Sequence, residues 1–258
     1  MTRTKLWMPD LLHFAGRFLG RKIASPQSSA DEQEFATNPT LAARGEVLLG
    51  AFRFVRRNML GGDYLEFGVY WGDTIHLAYA FSEYMSNSLQ GWLRPAERAA
   101  LMRRMRVFGF DSFQGLPEPV GIDAGPIFQK GDFSTSLDEV RRLLRERGTD
   151  LNRVHLVPGF YDEVWTPSLR QTLDLQAAAI VHVDCDFYKS TKTVLDFITP
   201  LLQDGTIIIF DDWFHYRGHP HRGEQKAFGE WREQNPGWLV GEFLTSPDNK
   251  AFVMNLAE

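Results

Sequence analysis

Short apolar runs alternate with stretches of helical periodicity along most of the 258-residue chain. The apolar runs predict seven strands, at residues 64–69, 106–110, 154–157, 179–183, 206–210, 238–243 and 251–255. Apolar residues at three- and four-residue spacing predict helices from Val47 to Met59, over 73–85, in an insertion at 93–105, over 136–147 and over 191–203. The fourth of these helices opens with a capping box, in which Ser136 accepts from a free backbone N–H and Glu139 returns the contact.

This order of elements predicts an α/β fold. Strands that alternate with helices indicate a mostly parallel sheet covered by helices on both faces. The last two strands are close enough in sequence to form a hairpin, which would place one reversed strand at or near an edge of the sheet. We therefore expect one domain over residues 43–258, preceded by a separate N-terminal segment.

The N-terminal segment, residues 1–42, is predicted to be an amphipathic helix followed by a linker. Apolar residues recur at helical spacing within 1–24, but charged residues interrupt them, so no run is long enough for a signal peptide or a membrane span. We expect this helix to pack on its own domain or on a second subunit, which would make the protein a homodimer or higher homo-oligomer. Contact with a membrane surface is the alternative. Residues 25–42 are rich in Ser, Pro, Asp, Asn and Thr, as linkers are.

Composition narrows the range of partners and compartments. The formal net charge is −5, whereas proteins that bind nucleic acid usually show a basic face. The single cysteine, Cys185, excludes an internal disulfide framework and a site built from several thiolates, and it fits a reducing cytoplasm.

One segment, residues 112–135, shows no period and contains four Gly and three Pro. A stretch of that length without regular structure inside a compact domain is usually functional and is often a lid. Because the segment starts directly at a strand end, we interpret it as a lid; a disordered surface insertion is the alternative.

Acidic and glycine residues lie directly after the predicted strands. In an open parallel sheet, ligands bind at this position, beyond the carboxyl ends of the strands. Gly68 and Gly72 would let a ligand approach the backbone, and Asp73 or Thr74 can cap the next helix. The glycine spacing is not that of a dinucleotide or phosphate-loop fingerprint.

The second strand ends in Asp111, which is placed to accept two hydrogen bonds from a ribose diol. Taken alone, this residue could equally cap its own loop. Together with Glu66 and Gly68 it matches the arrangement that the first two strands of a nucleoside-binding sheet usually carry, so we interpret this edge as a nucleoside site.

Asp184, Asp211 and Asp212 follow two predicted strands that are adjacent in the sheet. Three carboxylates at one point are tolerable when a hard cation neutralises them, and oxygen ligands suit Mg²⁺, Mn²⁺ or Ca²⁺ rather than Zn²⁺. The alternative is that the Asp pair caps the helix or turn that follows. Asp186 is expected to face away from Asp184 if the strand continues.

Three histidines follow the acidic pair, at His215, His219 and His221. Their spacing could bind a transition metal, but Gly218 and Pro220 indicate an irregular loop. We therefore expect a solvated or substrate-facing loop, and we expect the remaining histidines, His182 among them, to lie in the core or on helix surfaces.

Five motifs carry a resemblance to a known family. They are LEFGVYWG at 65–72, GFDSFQGLP at 109–117, GDF at 131–133, VDCDFY at 183–188 and FDDW at 210–213. In this order and spacing they resemble the macrocin O-methyltransferase family, over about residues 45–255. Members of that family methylate sugar hydroxyls on antibiotics such as macrolides and aminocoumarins.

The resemblance implies a class I methyltransferase (Rossmann-like) fold, with a mostly parallel seven-stranded sheet, one reversed strand and helices on both faces. It implies S-adenosylmethionine as methyl donor and Mg²⁺ (or Mn²⁺) bound by Asp184, Asp211 and Asp212, with Asp184 as the general base. With the strand-end residues above, it predicts a cofactor site made of Glu66, Gly68, Val69, Gly72, Thr74, Asp111, Ser112, Phe113, Asp132, Phe133, Gly159 and Phe160.

The function that this resemblance implies is metal-dependent transfer of a methyl group to a hydroxyl, on a sugar of a glycosylated natural product. A metal that coordinates two neighbouring oxygens would suit an acceptor with adjacent hydroxyls, so a catechol-type diol is an alternative substrate. A scaffold that binds the nucleoside without chemistry would leave the three acids without a purpose. A metal-dependent hydrolase would leave Glu66 and Asp111 without one.

Overall fold

The computed structural model of the chain describes residues 39–88, 105–164 and 166–257. The predicted N-terminal amphipathic helix lies outside these residues, and so does almost all of the predicted helical insertion at 93–105. No helix within the described ranges is both long enough and apolar enough to cross a membrane.

Seven strands form a single sheet in the order β3-β2-β1-β4-β5-β7-β6. They are β1 (Asp63–Phe67), β2 (Val107–Asp111), β3 (Val154–Pro158), β4 (Ala178–Val183), β5 (Thr206–Phe210), β6 (Trp238–Thr245) and β7 (Lys250–Leu256). Strands β1 to β5 are parallel, whereas β7 runs antiparallel to both β5 and β6. The predicted fold is confirmed, and its reversed strand is the second from one edge.

The helices are α1 (Pro39–Arg57), α2 (Asp73–Ser88), α3 (Leu137–Glu146), α4 (Tyr161–Val164), α5 (Pro167–Thr172), α6 (Tyr188–Ile198) and α7 (Gly223–Gln234). Helix α1 begins inside the segment that was predicted to be a linker. Helix α6 ends five residues before its predicted end, and a 3₁₀ turn, Thr199–Leu201, follows it. Pro200 explains that end, because proline has no N–H to donate and its ring crowds the preceding turn.

Two apolar layers enclose the sheet. Helices α1, α2 and α3 pack on one face, around Phe52, Ile75 and Leu144. Helices α6 and α7 pack on the other face, around Leu195 and Phe228. All residues of β1, β4 and β5 are buried, as expected for central parallel strands covered on both sides.

The predicted capping box at α3 is half formed. The Ser136 hydroxyl accepts from the Glu139 N–H at 3.2 Å, so the N-cap is as predicted. The Glu139 carboxylate does not return to Ser136 but pairs with Arg142 one turn along, at 2.6 and 3.0 Å. A charged partner three residues away competes successfully with a backbone N–H for this exposed side chain.

Candidate functional site

A cavity of about 300 Å³ lies beyond the carboxyl ends of the parallel strands. Its wall combines the loop after β1, the end of β2, the loop after β4 and part of the segment 112–135. Small-molecule sites in open α/β sheets occupy this position, and the volume is at the lower end of the range for such sites.

Gly68 brings the loop after β1 into contact with the loop after β4. Its φ is +100°, and a Cβ added there would lie 1.7 Å from the carbonyl oxygen of Asp184. The backbone N–H of Asp184 donates to the Phe67 carbonyl at 2.8 Å, which fixes the same crossing. Only glycine permits both the backbone conformation and this close approach.

Asp111 lies in the cavity wall and holds the glycine loop in place. One of its carboxylate oxygens accepts from the N–H groups of Val69 at 2.7 Å and Tyr70 at 3.2 Å. The other accepts from the Phe113 N–H at 2.7 Å. Three backbone donors that the sequence did not reveal therefore already contact this carboxylate.

The three acids of the predicted metal site converge. Strands β4 and β5 pair with Val183 opposite Phe210, so the residues that follow them, Asp184 and Asp211, are neighbours. One carboxylate oxygen each from Asp184, Asp211 and Asp212 lies within 4.8 Å of the other two. Asp211 and Asp212 are buried, and Asp184 is partly exposed in the cavity wall.

Asp211 is supported from below by a buried polar chain. Its carboxylate accepts from the Asn249 amide and lies 3.3 Å from Nε2 of His182. Nδ1 of His182 lies 3.8 Å from Glu66, which accepts from the Tyr64 hydroxyl at 2.5 Å. Burial opposes the charged imidazole, but the hydrogen bond to Asp211 and the nearby carboxylate of Glu66 prevail and raise the pKa of His182 to about 10.

Glu66 was predicted to contact the cofactor, but its side chain belongs to this buried row of hydrogen-bonding groups. Its side chain is fully buried behind the cavity, bonded to Tyr64 and close to His182. The register of β1 and β4 sets Glu66 directly beside His182, and both side chains lie on the same side of the sheet as Asp211. Glu66 therefore supports the acidic cluster from behind and does not line the cavity.

Arg44 of α1 is the cation nearest to the acidic cluster among the described residues, and sequence reasoning missed it. Its guanidinium pairs with Asp211 through Nη2 and lies 3.8 Å from Asp184 through Nη1. Arg44 precedes Val47 and Leu48 by one helical turn, on the buried stripe of α1. An arginine on an apolar stripe needs a carboxylate partner, so the spacing did carry a usable signal.

Burial and neighbouring negative charges disfavour the ionised forms of Asp184 and Asp212. Burial and the neighbouring Asp211 raise the pKa of Asp184 to about 7, although Arg44 opposes the shift. Burial and the charges of Asp186 and Asp184 raise the pKa of Asp212 well above its usual range. An additional cation at this point would stabilise the ionised forms.

Asp186, which was predicted to face away from Asp184 on a continuing strand, lies close to Asp212. That prediction assumed a continuing strand, whereas β4 ends at Val183 and Asp186 has a left-handed backbone, with φ 57°. Its N–H donates to Asp212 at 3.0 Å, and its carboxylate forms a second close group with Asp212 and His215.

The His-rich segment was predicted to be an irregular loop. Its first residues, His215–Gly218, form one kinked helical turn with left-handed φ at Tyr216 and Arg217, and the chain from His219 to the start of α7 is irregular. His215, His219 and His221 are all exposed, and His215 also lines the cavity with Nδ1 3.2 Å from the Asp212 carboxylate. The buried Glu224, at the start of α7, accepts from the Asp212 N–H at 3.0 Å and fixes the turn after β5.

The predicted cofactor residues divide into two groups. Those in the cavity wall are Gly68, Val69, Thr74, Asp111, Ser112, Phe133 and Phe160. Besides Glu66, four lie behind or beside the wall. Phe113 is buried, Gly72 packs near Leu144 of α3, the Asp132 carboxylate accepts from the Gln129 N–H, and the Gly159 N–H donates to the Asp111 carbonyl.

The segment 112–135 folds across the cavity and is fixed at its tip by Asp123. The buried Asp123 carboxylate accepts from the N–H groups of Tyr188 at 2.8 Å and Lys189 at 3.1 Å. It thereby caps α6, whose own N-cap residue, Phe187, makes no side-chain cap. Two backbone hydrogen bonds, Leu116 N–H to Asp132 and Gly131 N–H to Leu116, close the base of the segment.

Replacing Asp123 by alanine is expected to destabilise the protein by about 1–2 kcal/mol, because α6 loses its cap. Amide hydrogen exchange should become faster at Tyr188 and Lys189 and also within residues 117–130, since one carboxylate holds both regions. Asp138→Ala, an exposed acid in the first turn of α3, is the control. Faster exchange in α6 with no change in 117–130 would contradict the role of Asp123 in holding the segment.

The sheet with its reversed strand beside one edge, and the cavity at its carboxyl edge, define the class I methyltransferase fold. Residues 24–235 match the model of the family described as Macrocin-O-methyltransferase (TylF), so the chain belongs to that family. The fold is similar to that of the O-methyltransferase NovP, with a TM-score of 0.66 and 20% identity over 96% of this chain and 99% of that one. It is also similar to CalS11, a calicheamicin methyltransferase, with a TM-score of 0.63 and 21% identity over 95% and 91% of the two chains.

Two curated relatives come from Streptomyces. A tetracenomycin-C 4'-O-methyltransferase of Streptomyces olivaceus, whose name specifies a dimethoxy-rhamnosyl substrate, is 28% identical over 129 residues, 47% of this chain and 47% of its own. The demethyldecarbamoylnovobiocin O-methyltransferase of Streptomyces niveus is 28% identical over 167 residues, 60% of this chain and 54% of its own. The chain thus spans about half the length of the curated relatives that it matches.

Proposed function

We propose that this protein transfers a methyl group from S-adenosylmethionine to a sugar hydroxyl of a natural product, with a divalent cation held by Asp184, Asp211 and Asp212. The observation that carries the proposal is the position of these acids. Asp184 and Asp212 line a cavity that is also lined by the glycine loop and the end of β2, and Asp211 lies beside them.

The three acids fit a hard divalent cation. All donors of the group are carboxylate oxygens, the ligand type that Mg²⁺ and Mn²⁺ prefer. The buried Oδ2 of Asp211 is in ion-pair contact with the Arg44 guanidinium, so this oxygen already faces a positive charge. When bound, the cation would lower the pKa of a coordinated hydroxyl. Asp184 lines the cavity and is more exposed than Asp211 and Asp212, so it is the carboxylate that we expect to accept the proton from that hydroxyl.

The opposite part of the cavity suits the methyl donor. Gly68 allows a ligand to approach the backbone, and Phe133 and Phe160 supply apolar contact surface in the wall. A carboxylate has about four acceptor positions, and backbone N–H groups already use three at Asp111. We therefore expect Asp111 to accept one ribose hydroxyl, and a second only if a loop N–H gives way.

The acceptor class rests on the relatives and on the metal site. The name of one relative specifies a rhamnosyl-bearing substrate and 4'-O-methyl transfer, and this chain belongs to the family described as Macrocin-O-methyltransferase. A divalent ion beside the base favours an acceptor that offers two neighbouring oxygens, as the hydroxyls of a deoxysugar do. A catechol offers the same pair of oxygens and is the alternative acceptor.

Incubation with isotopically labelled S-adenosylmethionine tests the proposal directly. We expect label to enter a rhamnosylated aromatic acceptor when Mg²⁺ or Mn²⁺ is present, and to stop entering it when EDTA is added. A catechol in a parallel reaction distinguishes the two acceptor classes. Calorimetry should detect S-adenosylmethionine binding with or without metal. An absence of binding would exclude methyl transfer, and transfer that resists EDTA would exclude the metal.

A further inference from the structure

Arg44 contacts the same carboxylates that the proposed cation would bind. Its guanidinium bridges Asp211 and Asp184, which come from two different strand ends. The side chain is partly exposed, at 29%, whereas Asp211 is almost fully buried, at 1%. Arg44 also lies in the cavity wall, so its head group has open space beside it.

Arg44 approaches Asp211 from a different side than the other partners of Asp211, so Arg44 can be replaced without disturbing them. Asp211 also accepts from Asn249 and contacts His182, and those two residues approach it from the buried side. Arg44 approaches from the cavity side, and its Nε atom is buried without a hydrogen-bond partner among the described residues. A guanidinium with an unused buried N–H does not have its full set of bonds in this position.

A divalent cation and the guanidinium cannot both occupy this position. Both would contact the oxygens of Asp211 and Asp184, and at contact distance two cations repel each other strongly inside a partly buried site. Without Arg44, the carboxyl groups of Asp184 and Asp211 would lose the cation that they share, and among the described residues the imidazoles of His182 and His215 would be the basic groups left beside the cluster. Arg44 therefore has an electrostatic function when no divalent ion is bound.

We propose that Arg44 and the divalent cation bind the Asp184–Asp211 pair alternately, and that Arg44 stabilises the metal-free protein. This inference rests on the proposed function, because it assumes that the acids bind a cation. Its consequence is that cation binding releases the Arg44 head group into the cavity, where the guanidinium can donate to an oxygen-rich acceptor. Helix α1 is in this way coupled to the state of the metal site.

The test measures Mn²⁺ affinity and metal-free stability in the full-length chain after treatment with a chelator. Arg44→Gln removes the competing charge, so we expect Mn²⁺ to bind about tenfold more tightly, and we expect the metal-free Tm to fall. Arg44→Lys keeps the charge but cannot bridge two carboxylates, so both changes should be smaller. Arg53→Gln, an exposed arginine of the same helix, should change neither quantity.

Equal or weaker Mn²⁺ binding by Arg44→Gln would overturn the inference, and so would an unchanged metal-free Tm. If Arg44→Gln does not fold, tighter Mn²⁺ binding by Arg44→Lys supports the inference and unchanged binding overturns it. A lack of Mn²⁺ binding in all variants would also overturn it. Methyl transfer and S-adenosylmethionine binding, measured on the wild-type protein, then report separately on the proposed function.

Discussion

Replacing Asp184 by asparagine is expected to reduce methyl transfer by roughly 10²- to 10⁴-fold, the range associated with loss of a general base. Asparagine has nearly the same shape, but it cannot accept the proton and is a weaker ligand for a hard cation. Asp184 is the partly exposed member of the acidic cluster, and its only ion pair among the described residues is the 3.8 Å contact with Arg44. The fold should therefore tolerate the change.

Two further measurements separate this chemical role from a general loss of function. The dissociation constant for S-adenosylmethionine should stay within about threefold of the wild-type value, because the proposed cofactor residues are on the other strand ends. Mn²⁺ affinity should fall. Asp162→Asn is the matched control, since Asp162 also lies in the cavity wall but pairs with Lys189 at 2.9 Å, away from the cluster. Unchanged turnover in Asp184→Asn would refute the proposed role of Asp184.

The parts of the fold that could be predicted from sequence are those fixed by local pattern. Strands β4 and β5 read as continuous apolar runs because both faces are covered, and their bounds came within one residue of the observed ones. The acids that follow these runs could then be placed at one edge of the sheet, since parallel strands end together. The convergence of Asp184, Asp211 and Asp212 follows from these two steps.

Burial of the central strands on both faces also prevents the orientation of the Glu66 side chain from being predicted from sequence. Alternation of polar and apolar residues tells which face a side chain takes, but β1 is buried on both faces and shows no alternation. Its acid could therefore be assigned to the sheet edge, yet the structure places it beside His182 behind the cavity. The predicted direction of Asp186 depended on a continuing strand, and β4 ends three residues earlier.

Contacts between distant parts of the chain account for the rest. Asp123 caps a helix that begins 65 residues later, and no local motif announces a cap from so far away. The N-cap position of α6 is occupied by Phe187, which cannot accept a hydrogen bond, and this missing cap was the one available hint. Arg44 gave a clearer signal, because it is a charged residue on the buried stripe of an amphipathic helix.

Replacing Gly68 by alanine is expected to destabilise the protein by about 2–6 kcal/mol, the sum of a strained backbone and an overpacked contact. The new Cβ would meet the Asp184 carbonyl oxygen, a backbone atom between two strand ends that cannot rotate away. Urea denaturation measures the loss. Gly125→Ala is the control, because no heavy atom lies within 4 Å of its added Cβ.

The same substitution is also expected to change ligand affinity, because the backbone around the new methyl group must move. The atom that the new Cβ would meet belongs to Asp184, so a folded form of the variant must shift the backbone of this proposed metal ligand, the loop that carries Gly68, or both. We therefore expect Mn²⁺ affinity and S-adenosylmethionine affinity to fall together in this variant, whereas Asp184→Asn should lower only the first. A variant with wild-type stability and both affinities unchanged would contradict the close approach of the two loops, on which the shared position of cofactor and metal depends.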